Sequence, residues 1–566
     1  MKFSEMVYRR VTPEETAPQM ESLTRRVREA GAPDQALAAF YEYETLTARV
    51  ETMLSLAQVR FTQNTEDPFY AAENDYCDEM APRFAALTQA FYRALFDSPH
   101  RAALEASLGT LLFTNIGIEL KTFAPAVVPD LQEENRLVTA YVKRLSSAQI
   151  EFDGRVCTLS QLAPYEQSPD RRVRRGACEA KAAFFESHAQ AFDTIFDNLV
   201  RVRTRIARTL GFANFTELGY CRMGRNCYTE ADVGAFRRHI EAHIVPFAGR
   251  LKAAQAARIG LESLTIYDDP LVFPRGNAVP TGTAEEIFAH GRHMYRALSP
   301  ETAEFIDFML ENELFDVLSR KGKAGGGYCT SFPGTGAPFI FANFNGTAHD
   351  IDVLTHEAGH ALAAYLARDR KILEYRTPTM ESCEIHSMSM EFFTWPWMEG
   401  FFGPQADKYR YGHLAGAITF LPYGAMVDEF QHIVYGQPLL TPEERRQIWL
   451  SLEARYRPYL DTADVPFYRE GGRWQTQAHI YEAPFYYIDY CLAQTVALAL
   501  WAERQTDPDA AWARYLSLVK QAGTRTFREL ISEAGLPLPF DESALASVAE
   551  AAAGWLADMD PAKLEQ

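Results

Sequence analysis

What this 566-residue chain has little of narrows it first. Its eight cysteines (Cys77, Cys157, Cys178, Cys221, Cys227, Cys329, Cys383, Cys491) are scattered and contain no CxxC pair, so no disulfide framework is expected and the thiols read as buried or idle. No uninterrupted apolar run reaches the roughly 18 residues that would cross a bilayer. The opening "MKFSEMVYRRVTPEE" lacks the apolar stretch of a secretory leader, and a cytoplasmic chain with no membrane partner is expected. Positive charge is also short: 56 Lys and Arg stand against 75 Asp and Glu, a formal net charge of −19. Such a field repels nucleic acid, which is not expected as a partner. Repeats, low-complexity tracts and obvious linkers are missing too. What remains, at 47% hydrophobic, is enough to bury a large core.

From Asp34 to about Phe61, Leu46, Val50, Met53 and Ala57 recur at three and four, one face of a long helix. The same period returns in "MAPRFAALTQAFYRALF" and "ENRLVTAYVKRLSSAQIEF", so the first two hundred residues read as packed helices. "SPDRRVRRGACEAKAAFFESHAQAFDTIFDNLVRVRTRIARTLG" has a Ser cap, a Pro at the first helical position and a stop at Gly211, with its arginines on a solvated face. One segment breaks the pattern. In "KGKAGGGYCTSFPGTGAPFIFANFNGT" glycines bound two β-rich runs, a strand pair that leads straight into "DVLTHEAGHALAAYLA". A mainly α protein with one small sheet beside that helix is expected.

His356 and His360 lie four apart on one helical face, so both imidazoles can reach one ion, and Glu357 beside them is placed to act as base on the water that ion carries. "HIEAH" is an internal control: His239 and His243 are also four apart, but the glutamate sits midway and no strand precedes the helix. That pair, and His290 with His293, read as ordinary histidines. Gly359 inside the motif permits close backbone approach. A catalytic zinc usually keeps three protein ligands. Downstream, "TMESCEIHSMSMEFFTW" has Glu381, Glu384, His386 and Glu391 on another expected helix. Glu381 and Glu384 share a face, and spacing alone does not separate them.

With "HEAGH" followed by "EIHSMSME", the chain resembles the zinc oligopeptidases of the thimet oligopeptidase and oligoendopeptidase F type, whose HExxH precedes a helix carrying ExxS and a further glutamate. The resemblance continues in "LGYCRMGRNCYT", "GGYCTSF…PFIFANFNGT" and "HIYEAPFYYIDYCLAQ", over residues 165 to 545. It favours Glu384 as third ligand of one Zn2+, with His356 and His360, and leaves Glu391 to support a ligating histidine. It implies a zincin-like catalytic domain (166–566) and a helical N-terminal lobe (1–165), two lobes around a deep substrate channel that admits unstructured oligopeptides and excludes folded proteins.

Family likeness further implies that His479 and the tyrosines after Pro484 close over the substrate carbonyl, with Tyr490 the main oxyanion donor, Tyr487 a second phenol on the same helical face, and Tyr486 on the substrate. The histidine-to-tyrosine spacing is one residue shorter than in the thimet branch, which leaves the three tyrosines individually open. An extended peptide is expected along "FIFANF" as an edge strand, clamped by backbone around Ala342 and Asn343. The resulting expectation is a zinc-dependent oligoendopeptidase with Glu357 as general base on a zinc-bound water. Its rivals are a dipeptidyl carboxypeptidase of the same family, a non-catalytic peptide-binding protein, and a helical protein with a chance HExxH.

Overall fold

The computed structural model describes residues 1–320, 322–462 and 465–565. Helices α1 (Pro13–Arg28), α2 (Pro33–Gln63) and α3 (Pro68–Phe96) open the chain, each with proline at its first position, where a missing N–H costs nothing. Thr12 caps α1 and Asp67 caps α3 by accepting backbone N–H groups. Leu46, Val50 and Ala57 are buried, as the period of α2 requires. With two short helices over residues 101–119 they enclose a core of their own, built around Val27, Phe40, Tyr43, Phe91, Leu104, Phe113 and Ile116.

A second, larger core includes Met6, Leu56 and Val59 near the start of the chain and takes in most of the residues after Val127. Around it run α4 (Arg171–Thr209), α5 (Phe215–Arg222), α6 (His349–Ala367), α7 (Met380–Phe393), α8 (Ala406–Gly436) and α9 (Tyr487–Arg504). Asp170, not Ser168, caps α4, whose end at Gly211 is as expected, with φ +89°. The arginines at its start are not a merely solvated face. Arg171 and Arg174 both bind the buried Asp268, and Arg174 is itself 3% exposed. "ENRLVTAYVKRLSSAQIEF" is helical only to Ser146; its last residues form β1 (Ile150–Phe152), which pairs with β2 (Arg155–Cys157). β3 (Leu264–Thr265) and β7 (Leu460–Asp461) make a short parallel pair.

The sheet that positions the site has three strands, β4 (Phe315–Leu318), β5 (Tyr328–Phe332) and β6 (Ala337–Phe344), in the order β4-β6-β5. β5 and β6 form the expected antiparallel pair, Tyr328 opposite Phe341 and Phe332 opposite Ala337. β4 adds parallel to the other side of β6. This corrects the edge-strand expectation: "FIFANF" is the central strand, and β5 is the edge. Among the described residues no helix is long and apolar enough to cross a membrane.

Candidate active site

β6 ends at Phe344 and the chain turns at Gly346, φ +86°, into α6. Asp350, in the first turn, accepts N–H groups from Asn345 and Gly346 at 2.8 and 2.7 Å, which ties the turn to the helix and puts negative charge at its N-terminus. Just under two helical turns later comes His356, with His360 about one turn beyond it. α7 crosses α6 at Gly359, and the crossing depends on that glycine: a Cβ there would stand 2.4 Å from the His386 carbonyl oxygen and 2.6 Å from Ser387 Cα. Backbone contact at this point carries Glu384 onto the two imidazoles.

His356 Nε2 and His360 Nε2 lie 3.2 and 3.4 Å from Glu384 Oε2, and one donor atom from each of the three residues falls within 4.8 Å of the others. The other polar atoms of His356 and Glu384 are engaged as well. His356 Nδ1 bonds Glu391 Oε1 at 2.7 Å, Glu391 Oε2 bonds His413 Nε2 at 2.7 Å, and the Trp395 indole N–H donates to His413 Nδ1 at 3.3 Å. Tyr486 O–H donates to Glu384 Oε1, and Ser387 Oγ to Glu384 Oε2 at 3.1 Å. Burial opposes ionisation of Glu384, yet the facing His360 and His356 hold its carboxyl well below the usual range. Two imidazole nitrogens and one carboxylate oxygen, turned to one point and oriented from behind, are the donor set of a single zinc ion.

Glu381, the competitor by spacing, is turned away: fully buried, it accepts from Thr379 Oγ1 at 2.7 Å, and burial, helped by Asp489, pushes its pKa up to about 8. Glu357 is 6% exposed, Oε2 has no hydrogen-bond partner, and burial raises its pKa. Its carboxylate borders two cavities. One, of about 670 Å³, is lined by Val353, Met388, His413, Phe420, Tyr487 and Tyr490 among others; the second, of about 500 Å³, runs along Gly327–Ser331 of the β5 edge past His360, Glu384 and Tyr486.

His479 sits on a short helix of its own, Ala478–Glu482, and α9 begins at Tyr487. His479 Nε2 is 3.3 Å from Tyr490 O–H. On the other ring nitrogen, Gln477 Nε2 donates to His479 Nδ1 at 2.9 Å, while Gln477 Oε1 accepts from Tyr423 O–H. That chain assigns the proton to His479 Nε2, facing the cleft. Burial lowers the His479 pKa to about 4, so the ring is a neutral donor, and burial raises that of Tyr490, which stays a phenol. Tyr487 lines the larger cavity against Phe420 and Tyr423.

Ala342 and Asn343 do not present a free edge. The Ala342 carbonyl accepts from Lys323 Nζ at 2.5 Å, and Asn343 Nδ2 donates to the Ala324 and Gly326 carbonyls. Both residues brace the loop that delivers β5, because β6 has neighbours on both sides. His413 and Gln477, which orient Glu391 and His479, carry no local sequence signal; each is a polar residue on an element far along the chain. The control histidines behave as expected, His243 bonding Glu542 at 2.8 Å.

Two family models match this chain, the Peptidase M3 N-terminal domain over residues 3–123 and Peptidase family M3 over residues 301–550. Among solved structures, PZ peptidase A with an inhibitor is 47% identical, covers 99% of this chain and 100% of its own, and superposes with a TM-score of 0.97. A protein assigned as oligoendopeptidase F from Bacillus anthracis str. Ames is 43% identical, with coverage of 100% and 99% and a TM-score of 0.93. Oligopeptidase PepF of Bacillus subtilis (strain 168) is 22% identical over 545 residues, 91% of this chain and 79% of that protein.

Proposed function

This chain belongs to peptidase family M3, and we propose that it works as a zinc-dependent oligoendopeptidase in which Glu357 is the general base and His479 and Tyr490 bind the oxyanion. The observation that carries the reading is the convergence of His356, His360 and Glu384 donor atoms within 4.8 Å beside Glu357, in a cleft bordered by an edge strand. His356, His360 and Glu384 would hold one zinc ion, which when bound polarises a peptide carbonyl and makes water a stronger acid.

The chain's own groups supply the rest. An extended peptide pairs with the outer edge of β5 over Gly327–Ser331, main chain to main chain, which registers it with little demand on sequence. Glu357, raised in pKa by its burial, takes a proton from the attacking water and passes it to the leaving amine. His479 Nε2–H and Tyr490 O–H donate to the carbonyl oxygen as it gains charge. Tyr487 walls the larger cavity and Tyr486 holds Glu384.

The division into a helical N-terminal lobe (1–165) and a catalytic domain (166–566) belongs to this proposal, as do a cytoplasmic location and short unstructured peptides as substrates. In support of the lobe, Glu51 and Cys77 of the N-terminal helices line a further cavity of about 460 Å³ with Ser331 and Arg376, beyond the metal ligands along β5. The test is cleavage of unstructured peptides of increasing length with the products mapped. Internal cuts that stop with a chelator and return with zinc support the reading, and release of C-terminal dipeptides alone would replace it with a carboxypeptidase.

A further inference from the structure

"LGYCRMGRNCYT" (residues 218–229) packs behind the segment that carries His479, Tyr486, Tyr487 and Tyr490. The centre of that segment is Phe485, whose φ of +69° is a left-handed conformation that a bulky residue adopts only under constraint. Every part of Phe485 is held. Its N–H donates to Gln431 Oε1 on α8 at 2.9 Å, and its carbonyl accepts from Arg225 Nη2 at 2.5 Å. Its ring lies where a Cβ on Gly219 would be, 2.5 Å from Cδ2, and it is flanked by the rings of His432, Tyr220 and Tyr435.

Arg225 is fully buried at its side chain and reaches past Phe485 to Asp489 Oδ1 at 2.9 Å, in the first turn of α9; Asp489 also accepts from Tyr228 O–H at 3.2 Å. Tyr220 stacks under the guanidinium, 4.1 Å from its carbon to the ring centre. At the other end of the segment a second buried arginine, Arg203, donates to the Tyr481 carbonyl at 2.5 Å and is anchored by Glu134, which Arg222 also binds. Backbone carbonyls on both sides of Pro484 thus rest on guanidinium groups. Arg203 spreads its bonds over three nitrogens, whereas Arg225 reaches the Phe485 carbonyl and Asp489 Oδ1 through the one nitrogen Nη2, held in place by the planar group that stacks on Tyr220; a lysine ammonium is a mobile point without that plane.

We infer that Arg225, Gln431 and Gly219 form a clamp on Phe485 that aims Tyr490 at the oxyanion and Tyr486 at Glu384, making Arg225 a positioning residue for both. The clamp explains a strained residue next to three functional tyrosines and gives the 218–229 motif a task. It rests on the proposed oxyanion role of Tyr490.

The test is a double-mutant cycle on zinc-loaded protein with an internally quenched unstructured peptide. Arg225→Lys keeps the charge facing Asp489 but loses the planar group that stacks on Tyr220 and fixes the donor to both acceptors; Gly219→Ala favours its helix yet collides with the Phe485 ring. A misplacement of about 1 Å costs on the order of 100-fold, so each variant should lower kcat by about tenfold or more. KM, measured at saturating zinc, should stay within about twofold. Tyr490→Phe should then cost far less in either background than in the wild type. If Arg225→Lys does not fold, Gly219→Ala decides alone. Wild-type kcat in a folded variant, or losses that simply add to that of Tyr490→Phe, would overturn the clamp. An unchanged kcat for Tyr490→Phe by itself would instead remove the oxyanion role, and the inference with it.

Discussion

His356 Nδ1 stands 2.7 Å from Glu391 Oε1, and the other oxygen of that carboxylate is held by His413. The pair orients the imidazole and strengthens its other nitrogen as a donor, a role whose removal typically costs 10 to 100-fold in metal affinity. Glu391→Gln and His413→Ala should therefore weaken zinc binding by about 10 to 100-fold in chelator competition, while full loading at excess zinc restores most of the activity.

Gly359→Ala is expected to be worse than its size suggests. The added methyl would meet the His386 carbonyl oxygen at 2.4 Å, backbone against backbone, so the α6–α7 crossing must open. Overpacking of this kind costs about 1 to 3 kcal/mol. Thermal melting should fall, and because the crossing also sets the distance from Glu384 to the histidines, zinc affinity should fall with it.

Tyr490→Phe removes a donor without changing the packing of the ring. Loss of one oxyanion donor costs about 100 to 1,000-fold in kcat. Steady-state kinetics should show that loss in kcat with KM nearly unchanged, since the bond matters where charge develops and not where the substrate first binds.

These residues differ in how far the chain itself revealed them. The spacing of His356, Glu357 and His360 is local, and so is the glycine that lets a second helix cross. Glu384 needed family likeness, because Glu381 shares its face; the fold separates them by turning Glu381 toward Thr379. The sequence pattern hides the second neighbour of β6, because Phe315–Leu318 is only four residues long and follows closely on a helix. Ser168 looked like the cap of α4 because both it and Asp170 suit the position, and only the backbone decides. His413, Gln477 and Arg225 act through contacts made by the tertiary fold, which leave no period or spacing to read.

Burial lowers the His479 pKa to about 4, below the value of about 6.5 expected when unfolded. The unfolded chain thus takes up a proton on acidification before the folded one does. The stability this contributes is present above about pH 6.5 and is lost as pH falls toward 4, about 2 kcal/mol of it by pH 5. Urea unfolding at pH 7 and pH 5 should show a smaller acid loss for His479→Gln than for the wild type.

The proposed task of Glu357 is to move the proton in a zinc-dependent cleavage of internal peptide bonds. Mass spectrometry of unstructured peptides of roughly five to thirty residues, a range chosen to bracket what a walled cleft admits, tests it with wild-type protein and Glu357→Gln at matched zinc content. Internal cuts by the wild type, absent from Glu357→Gln and abolished by a chelator, are the expected result. Equal cleavage by a fully loaded Glu357→Gln, or none by the loaded wild type, would contradict the account.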